Sequence, residues 1–376
     1  MKRRRGRGEG SIYQRKDGRW CGAITVGITE SGQPRRKVIY GKTRREVAEK
    51  MLNLQSDPRA LQVSVSPNVK LAEYMDRWLE HDVRQSRRPT TIEGYERIVK
   101  KHINPRIGGT SLKKLNPLHI EAWLSDLGRS ELGPSRRNRC FLVLRQAMQK
   151  AVIQKLIRDN PTDGVTPPKS CPREIEPLTG DQVERLLKCA RDTRYEAFFV
   201  VAIGTGMRWG EIAALKWSDI DIKKGTLQVQ RTVAEARGKL HIQPPKTKAS
   251  RRMIPLPAFV LGALRRHHSK CETVPHPTAW VFPNRKGDLL RKGNFFISCW
   301  KPLREEAGIP ETRFHDLRHT TATLLLRNGV HPKVVQTVLG HSRFGITMDL
   351  YSHVVDGMQQ EAANALDSLF DTSSGS

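Results

Sequence analysis

Two aperiodic stretches divide this chain before any motif is read. Residues 56–68 mix Ser, Asp, Pro and Val with no repeating period, and Asn160-Pro161 with Thr166-Pro167-Pro168-Lys169 form a second break. Proline fixes its own φ and biases the residue before it towards extended backbone, so neither stretch is expected to carry a helix across it. Spacers of this kind join domains semi-rigidly. The three segments that remain differ in period. The expected fold is therefore multidomain and α-rich α+β, with domains at 1–60, 69–160 and 173–370.

The first segment reads as strands. Gly10 to Tyr13, Gly18 to Val26 and Arg36 to Tyr40 are short β-type runs, with Asp17-Gly18 and Ser31-Gly32 as turns. A helix follows over Thr43 to Asn53, opened by a Thr43-x-x-Glu46 capping box. Three strands and one helix bury little, so a role for the sheet's surface is the alternative to a rich core. Residues 1–60 hold 16 Lys and Arg against 6 Asp and Glu, and Met1 to Gly10 reads as disordered when free. Such a face suits a DNA groove, with Arg3, Arg4, Arg5, Arg19, Arg36 and Lys37 as candidate contacts. A small accessory domain with a basic surface is the other reading.

The second segment is helical. Leu71, Tyr74, Met75, Trp78 and Leu79 form one stripe. A second helix is expected from Thr90, capped by Thr90-x-x-Glu93, with Ile92, Tyr95, Val99 and Ile103 inside. A third has Asn116 as N-cap and Pro117 at its first position, and a fourth runs from Pro134 to about Ile157. Arg87, Arg88, Lys100, Arg136, Arg137 and Arg139 fall off the core face and are candidate phosphate contacts, or simply solvated.

The third segment opens with a Thr179-x-x-Gln182 cap. Tyr195 to Ile203 is an apolar helix broken at Gly204-Thr205-Gly206, and Met207 to Leu215 resumes helix with Arg208 on it. Thr226 to Gln230 alternates like a strand. Leu240 to Gln243 and Met253 to Leu256 are expected to pair, with Lys246 in the turn between them. Helices follow at about 258–267 and 294–307. Leu317, Thr321, Leu324 and Leu325 mark another, ended by Gly329. Pro332 opens a short one, and Gly340 stops it.

The charge balance narrows the partner. The chain carries 66 Lys and Arg against 38 Asp and Glu, a net charge of +28 over 376 residues. That excess points to a polyanion, most simply nucleic acid. No apolar run approaches the ~20 residues that span a bilayer. The basic amino end lacks the apolar core of a secretory signal. Six scattered cysteines (21, 140, 171, 189, 271, 299) form no C-x-x-C pair and are expected to be reduced, as in a cytosolic chain.

The strings that carry chemistry lie in the third segment. His315-Asp316-Leu317-Arg318-His319 places an imidazole and a guanidinium three residues apart, a pairing suited to a phosphate. Leu339-Gly340-His341 follows, then Tyr351, whose hydroxyl can attack phosphorus. Upstream stand Thr205-Gly206-Met207-Arg208-Trp209-Gly210-Glu211 and Pro245-Lys246-Thr247-Lys248. In this order the blocks resemble the tyrosine recombinases (phage-type integrases), over roughly half the chain.

The resemblance implies a site of Arg208, Lys246, His315, Arg318, His341 and the nucleophile Tyr351, supported by Glu211. Tyr351 would attack a DNA phosphodiester and leave a 3′-phosphotyrosine and a free 5′-hydroxyl. His315 would take the tyrosyl proton, Lys246 would protonate the leaving oxygen, and Arg208, Arg318 and His341 would hold the phosphoryl oxygens. No metal and no cofactor is required, because guanidinium groups and a lysine supply the charge and the proton. Paired histidines at 315 and 319 have zinc-site spacing, but Arg318 beside them repels a cation. The resemblance also implies an arm-type DNA-binding domain at the amino end and a helical core-binding (SAM-like) domain. Its partners would be double-stranded DNA at core and arm-type attachment sites and three further copies in a tetramer, joined through the helix expected over Val354 to Phe370. It leaves places for a host bending protein and an excision directionality factor, and implies a bacterial cytoplasmic, nucleoid-associated protein encoded by a phage or mobile element. A DNA-binding regulator without cleavage activity is the alternative.

Overall fold

The computed structural model describes residues 11–15, 17–28, 34–56, 69–130, 132–169, 176–245, 247–271, 274–340, 344, 345 and 348. Expectations resting on other residues, among them Lys246, His341, Tyr351 and the 354–370 helix, lie outside the described residues. The chain forms two compact units, Met1–Cys171 and Pro172–Ser376.

The first unit opens with an antiparallel sheet ordered β1-β2-β3, made of Ser11–Gln14, Trp20–Ile28 and Pro34–Gly41. Its register sets Tyr13 and Tyr40 on either side of Cys21, and Ile12 and Ile39 on either side of Gly22. Strand side chains alternate faces, so these rows look opposite ways. The glycine row meets the Arg44–Ser56 helix, where Val47 and Met51 are buried against Ile12, Trp20 and Ile39. A Cβ on Gly22 would stand 2.5 Å from Met51 Sδ and 2.7 Å from Val47 Cγ1, so the residue's missing side chain lets the helix approach. The other row leaves Tyr13 and Tyr40 exposed. Thr43 accepts from Glu46 N as expected, but Glu46 reaches back to the N–H of Lys42, not Thr43.

The helical part begins with Leu71–Trp78, continued by a widened turn at Leu79–Val83. Pro89–Ile98, Pro117–Arg129 and Pro134–Ile153 follow. The expected stripes are the core: Leu71, Met75, Ile103, Ile120, Trp123, Phe141, Leu144 and Met148 are buried together. Two boundaries differ from expectation. Arg88, in extended backbone, is the N-cap of the second helix and makes no side-chain cap bond; Thr90 lies inside it. Proline at the first position already supplies the right φ, so it starts the helix one residue before the serine-like cap signal. The fourth helix stops at Ile153, because Lys155 takes a left-handed φ of 58°.

The second unit is built around Glu196–Thr205, a helix apolar on every side and buried accordingly. Phe198 and Phe199 pack with Phe295, Trp300 and Phe314 at ring-centroid distances of 4.8–6.2 Å. The full capping box at Thr179 and Gln182 starts Gly180–Ala190. Strand pairing corrects one expectation. Lys239–Gln243 (β7) pairs with Thr232–Ala236 (β6), while Arg252–Pro255 (β8) pairs with Thr226–Val229 (β5), which also pairs with Ile220–Asp221 (β4). Arg237 and Gly238 have φ of 49° and 70°, the geometry of a two-residue hairpin turn, so β7 finds its partner locally. The described cysteines 21, 140, 189, 271 and 299 are free thiols. No helix among the described residues is long and apolar enough to cross a membrane.

Candidate active site

Three breaks in helical structure converge on one cluster. The first is Gly206, where the apolar helix ends with φ 60°. A Cβ there would lie 2.3 Å from Leu339 Cδ2, so both the backbone and the space require glycine. Arg208 follows in extended backbone as N-cap of the four-residue helix Trp209–Ile212. It therefore precedes the helix that was expected to carry it. Glu211 reaches back: its Oε2 accepts from Arg208 N at 3.2 Å and its Oε1 from Arg208 Nη1 at 2.7 Å. Gly210 makes the tight packing possible, since a Cβ would sit 2.5 Å from the carbonyl oxygen of Val233.

The second break is His315, N-cap of the Asp316–Arg327 helix. Arg318, one turn in, is buried. It donates from Nη1 to Gly206 O at 2.8 Å and from Nη2 to Leu339 O at 2.7 Å. The third is Gly340, left-handed at φ 69°, which ends Pro332–Leu339. Arg318 thus satisfies a carbonyl that the helix end would leave without a partner. Thr321 Oγ1 donates to Ile203 O at 2.8 Å and locks this helix against the buried one.

Sequence reasoning missed Arg252. It opens β8 and is buried, donating to Val338 O at 2.5 Å, Ser250 O at 3.2 Å and Glu211 Oε2 at 3.3 Å. A charged residue at a strand's start reads as a surface group; only the tertiary fold buries it. The Arg313–Asp316 pair was missed as well. Arg313 holds that carboxylate at 2.7 Å, and three residues of spacing at a helix start was the available signal.

Arg208 and Arg252 thus share the carboxylate of Glu211, one on each oxygen, while Arg318 is held by the carbonyls of Gly206 and Leu339. Burial alone would raise the pKa of Glu211; Arg252 and Arg208 overcome it and hold the group ionised. Burial lowers the pKa of Arg318, as does the charge of Arg208 and Arg252. Three guanidinium groups against one carboxylate leave the cluster with surplus positive charge, which suits an anion. Side-chain exposure separates the roles: 39% for Arg208 against 4% for Arg252. His315 keeps a solvent-open edge. Crowding of the rest of its ring, with His319, Arg318 and Arg208 nearby, pushes its pKa down to about 4. The imidazole is therefore neutral at neutral pH and able to accept a proton. His319 stands edge-on to it, ring centroids 5.1 Å apart, and its own Nδ1 is buried without a hydrogen-bond partner among the described residues.

The structure therefore brings Arg208, Glu211, His315 and Arg318 into one cluster from segments far apart in sequence. Lys246, His341 and Tyr351 lie outside the described residues. Among the DNA-contact candidates, Arg19, Arg87, Lys100, Arg136 and Arg139 are exposed, and Arg88 and Arg137 are half-buried. Arg36 and Lys37 lie on β3, opposite Thr25 and Ile24. Arg3, Arg4 and Arg5 are outside the described residues. A cavity of about 900 Å³, lined by Arg194, Trp217, Arg266, His267 and Trp280 among others, shares no residue with the cluster.

Comparison with known proteins gives a consistent picture. Residues 176–358 match the phage integrase family, and residues 70–128 match the phage integrase N-terminal SAM-like domain. A tyrosine recombinase XerC-like protein of Caldanaerobacter subterraneus subsp. tengcongensis is 30% identical, over 92% of this chain and 95% of that protein. The integrase of Mycobacterium phage L5 is 28% identical, over 81% of each. In fold, the chain is similar to the Tn1549 transposon integrase in complex with a circular intermediate DNA, with a TM-score of 0.69 at 22% identity, covering 79% of this chain and 99% of that one. A lambda integrase dimer bound to a COC′ core site gives a TM-score of 0.57 at 18% identity, covering 93% and 96%.

Proposed function

The chain belongs to the tyrosine recombinases of the phage integrase family, enzymes of site-specific DNA recombination, and we propose that it exchanges strands through Tyr351 at the Arg208–Glu211–Arg318 cluster. The observation that carries the assignment is a cluster of three guanidinium groups, two on one buried carboxylate and the third fixed by backbone carbonyls, beside a neutral imidazole. That arrangement suits a phosphodiester whose non-bridging oxygens gain charge during attack.

The reaction is a balanced transesterification. Tyr351 Oη forms a bond to phosphorus and its proton passes to His315. The bond from phosphorus to the 5′-oxygen breaks, and Lys246 gives that oxygen a proton. Arg208 and Arg318, with His341, bear the charge on the phosphoryl oxygens. The 3′-phosphotyrosyl link keeps the energy of the broken bond, so a 5′-hydroxyl of a partner strand reseals it without a nucleotide cofactor. Two such rounds on paired duplexes pass through a Holliday junction and integrate or excise a phage or other mobile element.

In this reading residues 1–60 hold arm-type DNA, 69–160 grip the core site and 173–370 cut. Arg87, Arg88, Lys100, Arg136, Arg137 and Arg139 contact core phosphates, and the β1–β3 sheet with Arg19, Arg36 and Lys37 enters a groove of the arm site, joined by Arg3, Arg4 and Arg5. The working assembly is a tetramer on DNA, closed by the 354–370 segment docking head to tail. It works in the bacterial nucleoid, beside whichever host bending protein and directionality factor serve its element.

Covalent trapping tests this. A nicked suicide duplex carrying the terminal sequence of the encoding element, incubated in EDTA, is expected to give a protein–DNA adduct on a denaturing gel. Tyr351→Phe is expected to bind and give none. Binding without an adduct from either protein would favour a non-catalytic DNA-binding regulator, and an adduct from Tyr351→Phe would assign another nucleophile.

A further inference from the structure

Arg252 is too buried to touch DNA, at 4% side-chain exposure, yet it donates to three acceptors, one in the turn before its own strand and two in segments distant in sequence. One is the carboxylate of Glu211, whose other oxygen holds the exposed Arg208. One is the carbonyl of Val338, in the last turn of the Pro332–Leu339 helix. The third is Ser250 O, in the segment between Lys246 and β8. We propose that Arg252 is the positioning residue of the proposed phosphate site. Its fork fixes Glu211, and through it Arg208, against the carboxyl end of the helix that leads in sequence to His341.

Burying a guanidinium is costly unless its donors are used. Here the geometry uses them across parts that must keep register for one phosphate to be held. A planar guanidinium can hold three directions at once, and a lysine ammonium on a flexible stem cannot reproduce that fork. Gly340 fits against the same group: a Cβ there would be 3.1 Å from both Cδ and Nη1 of Arg252, and 2.8 Å from Ala249 O. The left-handed turn at Gly340 thus packs directly on Arg252. Arg318 donates to the neighbouring carbonyl, that of Leu339, so two buried arginines from separate elements share one helix end. That end is the negative pole of the helix, which favours both charges.

The proposal rests on the site reading above, and the test separates the two. Full-length protein is assayed on the suicide duplex for affinity by gel shift, for single-turnover adduct rate, and for melting temperature. Arg252→Lys is expected to stay folded, to bind within about threefold of wild type, and to form adduct roughly thirtyfold more slowly, as small misplacements at a reacting centre do. Arg252→Met is expected to lose more rate and some stability; should it fail to fold, the lysine variant carries the test. Combining Arg252→Lys with Glu211→Gln is expected to be no slower than the slower single variant, because the two act along one path. Wild-type rates in folded Arg252→Lys, additive losses in the double variant, or a loss in rate matched by the fraction unfolded or by lost affinity would each overturn the proposal. If Arg208→Lys and Tyr351→Phe also leave adduct formation intact, it is the site reading itself that fails.

Discussion

Around Glu211, three arginines are held by a buried carboxylate and by the backbone carbonyls of Gly206, Val338 and Leu339. At the amino end, a three-stranded sheet rests on one helix through little more than Val47 and Met51, with an exposed row of aromatic side chains on its other face. The first region spends its contacts on orienting charge; the second uses a minimal core to display a surface. A reacting phosphate needs fixed donors aimed at it. A grip on the DNA backbone needs only charges near enough to displace counterions, which long hydrated side chains do well. Under the proposed function, the contrast accounts for arginines being buried in one place and solvated in another.

The contrast is most sharply broken at Arg318. Arg318→Ala removes a charge from the cluster and leaves two carbonyls without donors. Adduct formation on the suicide duplex is expected to fall roughly a hundredfold to a thousandfold, the scale for losing one preorganised donor. Affinity should change far less, because the exposed basic residues remain. Equal losses in affinity and rate would place Arg318 with the surface charges and erase the distinction.

A smaller effect is expected from the other side. Met51→Ala removes one of two buried anchors and should destabilise the sheet and helix by about 2 kcal/mol. Limited proteolysis should then cut within residues 11–56, while the adduct rate on a duplex lacking arm-type sites stays at wild type. A matching fall in that rate would show that the two regions are not independent.

The smallest effect concerns His315. Its folded pKa is about 4, below the ordinary value near 6.5, so between these the unfolded chain binds the proton more readily. Stability is therefore expected to be full above pH ~6.5 and to fall as pH drops towards ~4. Solvent at the open edge of the ring keeps the change small. Denaturant unfolding at about pH 7 and about pH 5 should show a shallower loss for His315→Gln than for wild type. An unchanged slope would mean that His315 belongs with the solvated groups.

Much of this was legible in advance because it is local. Asn116 before Pro117, Thr179 before Gln182, and glycines at 206 and 340 announce helix ends through backbone chemistry that needs no tertiary context. The helical stripes around Trp123 and Phe141 are legible for the same reason. The motif blocks named Arg208, Glu211, His315 and Arg318. Arg252 was not legible, because an arginine at a strand's start is ordinarily exposed and its burial depends on Val338 and Glu211, both distant in sequence. The pairing of β7 failed for a related reason: partners in a sheet are chosen by turn geometry, and Arg237-Gly238 was the turn that mattered. Thr90 does not cap its helix, because Pro89 begins it without a hydroxyl cap.

Arg318 carries one more consequence. A free arginine side chain holds on the order of 2 kcal/mol of rotamer entropy, normally lost when it grips a ligand. Here two of its N–H groups are already tied to Gly206 O and Leu339 O, so the plane of the guanidinium is set when the chain folds. An arriving anion meets a group with no rotation left to surrender, and the disorder that binding would otherwise remove was removed once, at folding, for every later turnover.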